Sequence, residues 1–374
     1  MNLIASISEG LEKEGAKELI ELGATSVKPF RRHISFEADL ACLYRLHLKS
    51  RLSFRFLREL SRFPCNSSRE LYLGIQGAID WKKWLLPKKS FRVDVTGFGK
   101  GLSHSHFTAL QVKNAIIDLQ REQWGSRSSI DLDNPEMCFH LHLSNNQAVL
   151  SVDGVYSSLH KRGYKPAVGK APIKETLAAG LIRMTAWDGK RNLVDPLCGS
   201  GTFLIEAVSS RLGISPGIDR KFLFQNWPDF NMSLWTRELK IAQKLNTYEK
   251  KLPKIIGCEI DPLIADFTMK NIKKSGLENY IEIVNCPFQQ LKLPAEPGFL
   301  VCNPPYGKRL GDEEDLRMLY KELGYFCKEK ASGWDLWLLS GNPKLSQYLG
   351  MKAKRRFQVS NGSIDCRWLH YEIR

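Results

Sequence analysis

The strongest constraint on how this 374-residue chain folds is a pair of prolines, Pro304-Pro305, directly behind the apolar run Gly298-Phe299-Leu300-Val301-Cys302. The run reads as a short buried strand. Two prolines in a row cannot donate to a ladder, so the strand stops there. In an open α/β sheet, ligands collect just past the carboxyl ends of strands. Asn303, Pro304, Pro305 and Tyr306 are therefore placed on the working edge of such a sheet.

These groups suit one kind of chemistry. An exocyclic amine on a base is a poor nucleophile, because its lone pair is conjugated into the ring. The Asn303 side-chain oxygen and the Pro304 carbonyl can accept its two N–H bonds and aim the nitrogen at an electrophile. A sulfonium methyl already carries positive charge, so no strong base is needed. Tyr306 offers a face to an unstacked base, a contact worth about 1–3 kcal/mol. The plainer alternative is a strand-ending turn with a buried tyrosine.

The region upstream alternates strand and helix. Asn192-Leu193-Val194 is a short strand, and Asp195-Pro196-Leu197-Cys198-Gly199-Ser200-Gly201-Thr202 is a strand-to-helix loop with paired glycines. Leu204 stands where a dinucleotide fingerprint needs its third glycine, and no Gly-Lys-Ser/Thr follows, so a P-loop is excluded. An aspartate at a strand end, two glycines and a helix N-terminus suit an amino-acid-bearing nucleoside better than a pyrophosphate. The next strand, 254–258, runs into Glu259-Ile260-Asp261-Pro262. An acidic residue at that strand end can accept from both ribose hydroxyls, and Glu259 is placed for it. A helix over 262–274 and a strand over 281–284 continue the alternation, and right-handed crossovers put all four strand ends on one edge. A fifth strand is read over 334–340. A hairpin of 354–360 with 364–373 follows, turning at Asn361-Gly362 in a type I′ pattern.

A chain of this length implies two or three domains. No run approaches the roughly 18 apolar residues of a membrane span, and the first residues lack a charged leader, so a cytoplasmic location with no membrane partner is expected. Nine cysteines, an odd number, show no Cys-x-x-Cys pair, which fits small core residues better than a metal or disulfide framework. The net charge of +15 favours an anionic polymer or surface as partner. Between Arg45 and Lys100 there are thirteen Lys and Arg against four Asp and Glu, a candidate phosphate-contacting face; solvated helix surface is the alternative for residues such as Lys82 and Lys83.

The front half reads as α+β. Strands are expected at 3–8, 33–37, 52–56 and 91–95, with helices at 9–22 and 40–48. One further helix is capped by Ser67 or Ser68 and runs toward Trp81 and Trp84, and another covers 108–124 with Leu110, Ala115, Ile116 and Leu119 on its apolar face. Phe139, Leu141 and Leu143 pair with Val149, Ser151 and Asp153 across Asn145-Asn146. Gly97-Phe98-Gly99-Lys100-Gly101 is either a phosphate-approaching loop or a plain one. His104, His106, His140 and His142 lack an identifiable carboxylate partner, so structural roles and no metal are expected. The basic stretch His160-Lys161-Arg162-Gly163-Tyr164-Lys165-Pro166 reads as a hinge between halves, and a helix over 171–184 begins at Pro172.

Asp195 to Thr202, Gly257 to Asp261 and Asn303 to Leu310 follow the order and spacing of S-adenosylmethionine-dependent amino-methyltransferases. More narrowly, over nearly its whole length, the chain resembles bacterial rRNA and tRNA guanine-N2 methyltransferases with an N-terminal THUMP domain. The shared stretches include 91–101, Leu159-His160-Lys161-Arg162-Gly163-Tyr164, 174–179 and 361–367. The resemblance implies a ferredoxin-like subdomain (1–64), a THUMP RNA-binding domain (65–160) and a Rossmann-like methyltransferase domain (161–374). The last is a mostly parallel seven-stranded sheet with an antiparallel C-terminal hairpin. S-adenosyl-L-methionine is the implied cofactor. By the same resemblance Asp195, Gly199 and Gly201 line its methionine end, Glu259 its ribose and Asp261 the adenine surroundings, with Pro196, Cys198, Thr202, Ile260, Asn285, Cys286 and Asn303 also in the cofactor site. Asn303 to Tyr306 take the target base.

The family usually has Asp after the third strand, where this chain has Asn285-Cys286-Pro287. Either Asn285 turns in, a backbone carbonyl serves, or adenine affinity is lower. Arg92, Lys100, Lys161, Arg162, Lys308 and Arg309 are the candidate RNA contacts. The preferred reading is transfer to a guanine N2 in 23S rRNA. The alternatives are a tRNA guanine, an N6-adenine in DNA, or a non-catalytic RNA-binding assembly factor. The sequence names no oligomeric state.

Overall fold

Two sheets organise the chain, whose computed structural model describes residues 1–165, 173–244, 251–306 and 313–374. The first contains β1 (Asn2–Ile7), β2 (Thr25–Phe30), β3 (His33–Glu37), β4 (Ser53–Pro64), β5 (Ser90–Gly97), β6 (Ser129–Ile130), β7 (Met137–Ser144) and β8 (Gln147–Asp153), in the order β2-β3-β1-β4-β8-β7-β5-β6. Helices α1 (Glu12–Glu21), α2 (Leu40–Lys49), α3 (Ser68–Gly77), α4 (Trp81–Trp84) and α5 (Ser105–Trp124) connect its strands. Strand β4 is twelve residues long and pairs with β1 on one side and β8 on the other, so the front half is one continuous sheet.

The second sheet contains β9 (Leu193–Asp195), β10 (Ile255–Glu259), β11 (Glu282–Asn285), β12 (Phe299–Cys302), β13 (Asp335–Ser340), β14 (Arg355–Asn361) and β15 (Ile364–Glu372), in the order β11-β10-β9-β12-β13-β15-β14. Helices α6 (Glu175–Thr185), α7 (Thr202–Leu212), α8 (Met232–Lys244), α9 (Pro262–Lys274), α10 (Glu313–Lys330) and α11 (Pro343–Gln347) accompany it. The first five strands of that order are parallel, and β15 runs antiparallel to both of its neighbours, β13 and β14. The strand order reverses between β9 and β12, which opens a crevice at their carboxyl ends. Local chemistry sets the boundaries there. Asp261 accepts from the N–H of Leu263 at 2.8 Å and Pro262 occupies the first turn, so α9 starts where expected.

Several expectations are corrected. Strand β2 was not expected; it is an exposed edge strand carrying Pro29, with no inward apolar alternation to reveal it. The helix toward Trp81 and Trp84 is two helices, because Asp80 caps a new start with its side chain on the Lys82 N–H. On α5, Ala115 and Ile116 face the core as expected and are joined there by Val112 and Ile117, whereas Leu110 is 38% exposed and Leu119 only partly buried. In the β7–β8 hairpin Phe139 pairs with Val152 and Leu141 with Leu150, since a two-residue turn fixes the register. The C-terminal turn is Gly362-Ser363, one residue later than expected, and Asn361 pairs with Ile364 as the last strand residue.

The stretch after α7 ties the front sheet to the rear one. Phe222, Phe224 and Trp235 pack with Tyr44 and His47 of α2, with Tyr44 and Phe224 ring centres 4.9 Å apart. Ionic contacts reinforce it and use up much of the basic excess between Arg45 and Lys100. Arg45 pairs with Glu238 at 3.0 Å, Arg58 with Asp229 at 2.7 Å, and Arg55 with Asp153. Arg62 pairs with Glu59. Arg45, Arg55 and Arg58 are thereby committed to internal ion pairs, whereas Arg62 stays 55% exposed in a local surface pair. Arg69, Lys82, Lys83, Lys88 and Lys100 remain exposed.

The basic stretch at 160–165 is pinned and does not behave as a hinge. Arg162 has a side chain only 5% exposed and lies 3.7 Å from Glu206, itself 2% exposed. It also donates to the carbonyls of Leu159 and Arg51 at 2.7 and 2.6 Å. Arg51 approaches the same carboxylate at 3.7 Å, and the Tyr164 hydroxyl donates to it at 3.1 Å. A charge buried this way is a structural junction, so Arg162 cannot serve as an RNA contact. Pro166, Ala171 and Pro172 lie outside the described residues.

Candidate active site

At the crevice, Asp195, Glu259 and Asn303 end or follow three adjacent strands. Asp195 is level with Gly257 of β10, and Val194 beside it pairs with Leu300 of β12. Asp195 is buried and accepts from the Leu197 N–H at 3.1 Å. Burial pushes its carboxyl up to about 8, the Glu259 carboxylate adds to the rise, and the Leu197 N–H opposes it.

The paired glycines shape the wall next to it. Gly201 has φ of +74° and a β-carbon there would lie 2.9 Å from the Thr268 side chain, whereas at Gly199, φ +49°, a β-carbon would meet nothing within 4 Å. Gly199 therefore leaves open space beside its backbone. The Glu259 carboxylate accepts from the N–H groups of Gly199 at 3.1 Å and Asp261 at 3.0 Å, which fixes it at the strand end. Thr268 donates to the Gly199 carbonyl and Asn271 to that of Ser200 at 3.2 Å, so α9 holds the loop in place.

Beyond Glu259, Ile260 is 64% exposed and gives an apolar face. Asn285 donates its Nδ2 to the carbonyls of Glu259 and Ile260 at 2.7 and 3.1 Å. Its Oδ1 is thereby turned to the other side as an acceptor. Cys286 is turned to Cys258, with the two sulfurs 3.6 Å apart. Asp261 is engaged as the cap of α9. The Cys198 thiol is buried against the core, where a β-carbon on Gly257 would lie 3.0 Å from its sulfur, so only its backbone faces the loop. Pro196 and Thr202 are buried as well, and the Thr202 hydroxyl lies 2.9 Å from that of Ser200.

Asn303 Oδ1 is buried and has no hydrogen-bond partner among the described residues. Tyr306 is half-buried; its hydroxyl accepts from Asn361 Nδ2 at 2.8 Å and from the Cys366 thiol at 3.7 Å. Burial raises its hydroxyl pKa, so it stays protonated. A β-carbon on Gly341 would lie 2.4 Å from the Tyr306 ring, which closes the ring in on that side. Asn361 was read as a turn residue, and the one-residue shift of the hairpin is what gives it this role.

The remaining expected contacts divide. Lys100 and Lys161 are exposed. Arg92 is engaged with Asp94 at 3.0 Å and with the carbonyls of Leu132 and Tyr156, so it braces the front sheet. Lys308 and Arg309 lie outside the described residues. His140 and His142 share the Thr96 hydroxyl at 3.1 and 3.0 Å. Among the described residues no group of three or more His, Cys, Asp or Glu is placed to hold a metal, and no helix is long and apolar enough to cross a membrane.

The residues present fit S-adenosylmethionine. A buried carboxylate, an open glycine wall, a fixed glutamate and an apolar face with an amide acceptor lie in sequence along the crevice. Because the α-ammonium at the methionine end, present in S-adenosylmethionine and S-adenosylhomocysteine alike, carries positive charge, its binding favours ionised Asp195. Its affinity should therefore rise with pH up to about 8, by up to about tenfold per pH unit, and then level off. Calorimetric titration with S-adenosylhomocysteine between pH 6 and 9 checks this; Asp195→Asn should flatten the curve and weaken binding, and a pH-independent wild type would refute it.

Comparison with known proteins agrees with this geometry. Residues 162–370 match the RMKL-like methyltransferase domain, residues 70–153 the THUMP domain and residues 2–57 the RlmL ferredoxin-like domain. A Synechocystis sp. protein provisionally named an RNA methyltransferase is 41% identical over 99% of this chain and 96% of its own length. The Vibrio campbellii ribosomal RNA large subunit methyltransferase K/L is 36% identical over 99% of this chain, which spans only 53% of that protein. The crystal structure of SMU.472, provisionally named a methyltransferase and solved with SAH, superposes with a TM-score of 0.90 at 28% identity, covering 100% of this chain and 98% of that one. The chain belongs to the RMKL-like family of S-adenosylmethionine-dependent methyltransferases, with a THUMP domain and an RlmL-type ferredoxin-like domain ahead of the catalytic sheet.

Proposed function

We propose that this protein methylates the exocyclic N2 amine of a guanine in structured RNA, with the large-subunit rRNA as substrate. The observation that carries the reading is the buried Asn303 Oδ1, an acceptor without a donor among the described residues, at the strand end beside the cofactor crevice. Such an atom costs about 1–3 kcal/mol to leave unpaired, and an incoming amine relieves that cost. Asn303 Oδ1 and the Pro304 carbonyl hold the two N–H bonds, and the Tyr306 ring, fixed through Asn361, supports the base. The cofactor, when bound, supplies the positively charged methyl, so no residue has to act as a strong base, and Tyr306 stays protonated throughout.

Asn285 is the better candidate than Cys286 for the adenine amino group, because its Oδ1 is the free end of a fixed amide. The THUMP match and the RNA named for the relatives support RNA over DNA. Exposed Lys100 and Lys161 remain RNA contacts in this reading.

Methyl transfer to unmodified large-subunit rRNA, followed by nucleoside mass spectrometry, tests it. N2-methylguanosine is expected at one position, and rRNA carrying inosine there, which lacks the amine, should accept none. Methylation of a tRNA guanine keeps the chemistry and moves the substrate. N6-methyladenosine in DNA, or no product at all, would sink the reading.

A further inference from the structure

A second cleft, of about 170 Å³, lies where the front sheet meets the C-terminal hairpin, lined by Glu9, Arg32, Phe54, Lys174, Ser360 and Gly362 among others. The hairpin turn forms a shared wall. On one side Asn361 holds the Tyr306 hydroxyl at 2.8 Å; on the other the Ser360 N–H donates to the Glu9 carbonyl at 3.0 Å. Gly10 makes this docking possible, since a β-carbon there would lie 2.1 Å from the Gln358 carbonyl oxygen. The anchor of the active-site tyrosine, Asn361, is therefore flanked directly by two residues of the cleft wall, Ser360 and Gly362.

Its uncompensated charge is Lys174. Arg31 and Arg32, both exposed, share the carboxylate of Glu9 at 2.8 and 2.9 Å, and the Glu12 carboxylate accepts from the Arg32 backbone N–H at 2.9 Å, so two carboxylates face the two guanidiniums. Lys174 is exposed, with its ammonium 5.1 Å from the centre of the Phe54 ring, and it has no ion pair among the described residues. The edge of the Phe54 ring contact is taken by His160 at 5.9 Å. Arg32 also has φ of +64°, a left-handed conformation that glycine adopts without strain and a residue with a β-carbon does not. Arginine at that turn therefore carries a backbone cost that its side chain has to justify.

We propose that this cleft binds the ribose-phosphate backbone of the nucleotide next to the target base, with Arg32 and Lys174 on phosphate. The proposal rests on the reading of RNA as methyl acceptor. It places the neighbouring phosphate one hairpin turn from Tyr306, so that the extruded base and the strand that carries it are gripped on opposite sides of the same turn.

The test uses the full chain, R32G, K174A and K174R, with in vitro transcribed large-subunit rRNA as probe, in binding titrations over a salt series. R32G and K174A should each lower the slope of log affinity against log salt by about 1, raise KM for RNA, and leave S-adenosylhomocysteine affinity unchanged. R32G should melt at or above the wild-type temperature, and K174R should keep the wild-type slope. Unchanged slopes in R32G and K174A overturn the cleft alone, provided the wild type transfers methyl to RNA. Weakened binding with a lowered melting temperature and no rescue by K174R overturns it as well, as a structural effect. A wild type that neither binds nor methylates RNA overturns the underlying reading and the cleft together.

Discussion

Asn303→Ala is expected to lower methyl transfer by about 10²–10³-fold or more, the scale on which one polar group aimed at the reacting atoms acts. S-adenosylhomocysteine affinity should stay at the wild-type value. The side chain follows β12, and its Oδ1 has no internal partner among the described residues to lose, so the fold does not depend on that oxygen. Removing it should if anything relieve an unpaired buried acceptor, and the melting temperature should not fall. Asn303→Asp keeps an oxygen acceptor in place and should retain more activity than alanine. Single-turnover kinetics with saturating cofactor separate the chemical step from binding. Near-normal turnover of the alanine variant would remove Asn303 from the mechanism.

Glu206→Ala should destabilise the protein by about 3–5 kcal/mol, the cost of leaving a buried ion pair half broken. Here two guanidiniums lose their carboxylate at once, since Arg51 and Arg162 both lie 3.7 Å from it, and the Tyr164 hydroxyl loses its acceptor. Tyr164→Phe removes one hydrogen bond and should cost only about 1 kcal/mol. Replacing Arg51, Arg162 and Glu206 together by Met, Met and Leu should recover much of the loss, because no uncompensated charge then remains. Denaturant titrations of the three variants check the order; a Glu206→Ala protein as stable as Tyr164→Phe would show that the cluster carries no net stabilisation.

The strand ends of the rear sheet were legible because each carries a signal that works locally. Pro304-Pro305 stop β12, Asp261-Pro262 start α9, and the glycines after Asp195 mark the turn into α7. What was not legible depended on partners far along the chain. Counting charge between Arg45 and Lys100 cannot show that Arg45 meets Glu238, Arg58 meets Asp229 and Arg55 meets Asp153. The same blindness turned the pinned stretch around Arg162 into a hinge and an RNA contact. Asn361 escaped for a different reason. A glycine can serve either turn position, so the register of β14 on β15 decides whether Asn361 is a loop residue or the support of Tyr306.

The continuous front sheet bears on how such proteins are assembled over evolutionary time. The RlmL ferredoxin-like match ends at residue 57 and the THUMP match begins at residue 70, so the seam between them falls largely within β4, Ser53–Pro64. A recombination event at that seam would tear a strand out of both neighbours and leave two raw edges open to other chains. The two modules can therefore be inherited or transplanted only as one cassette, and any lineage that exchanges its RNA-gripping part has to exchange both together.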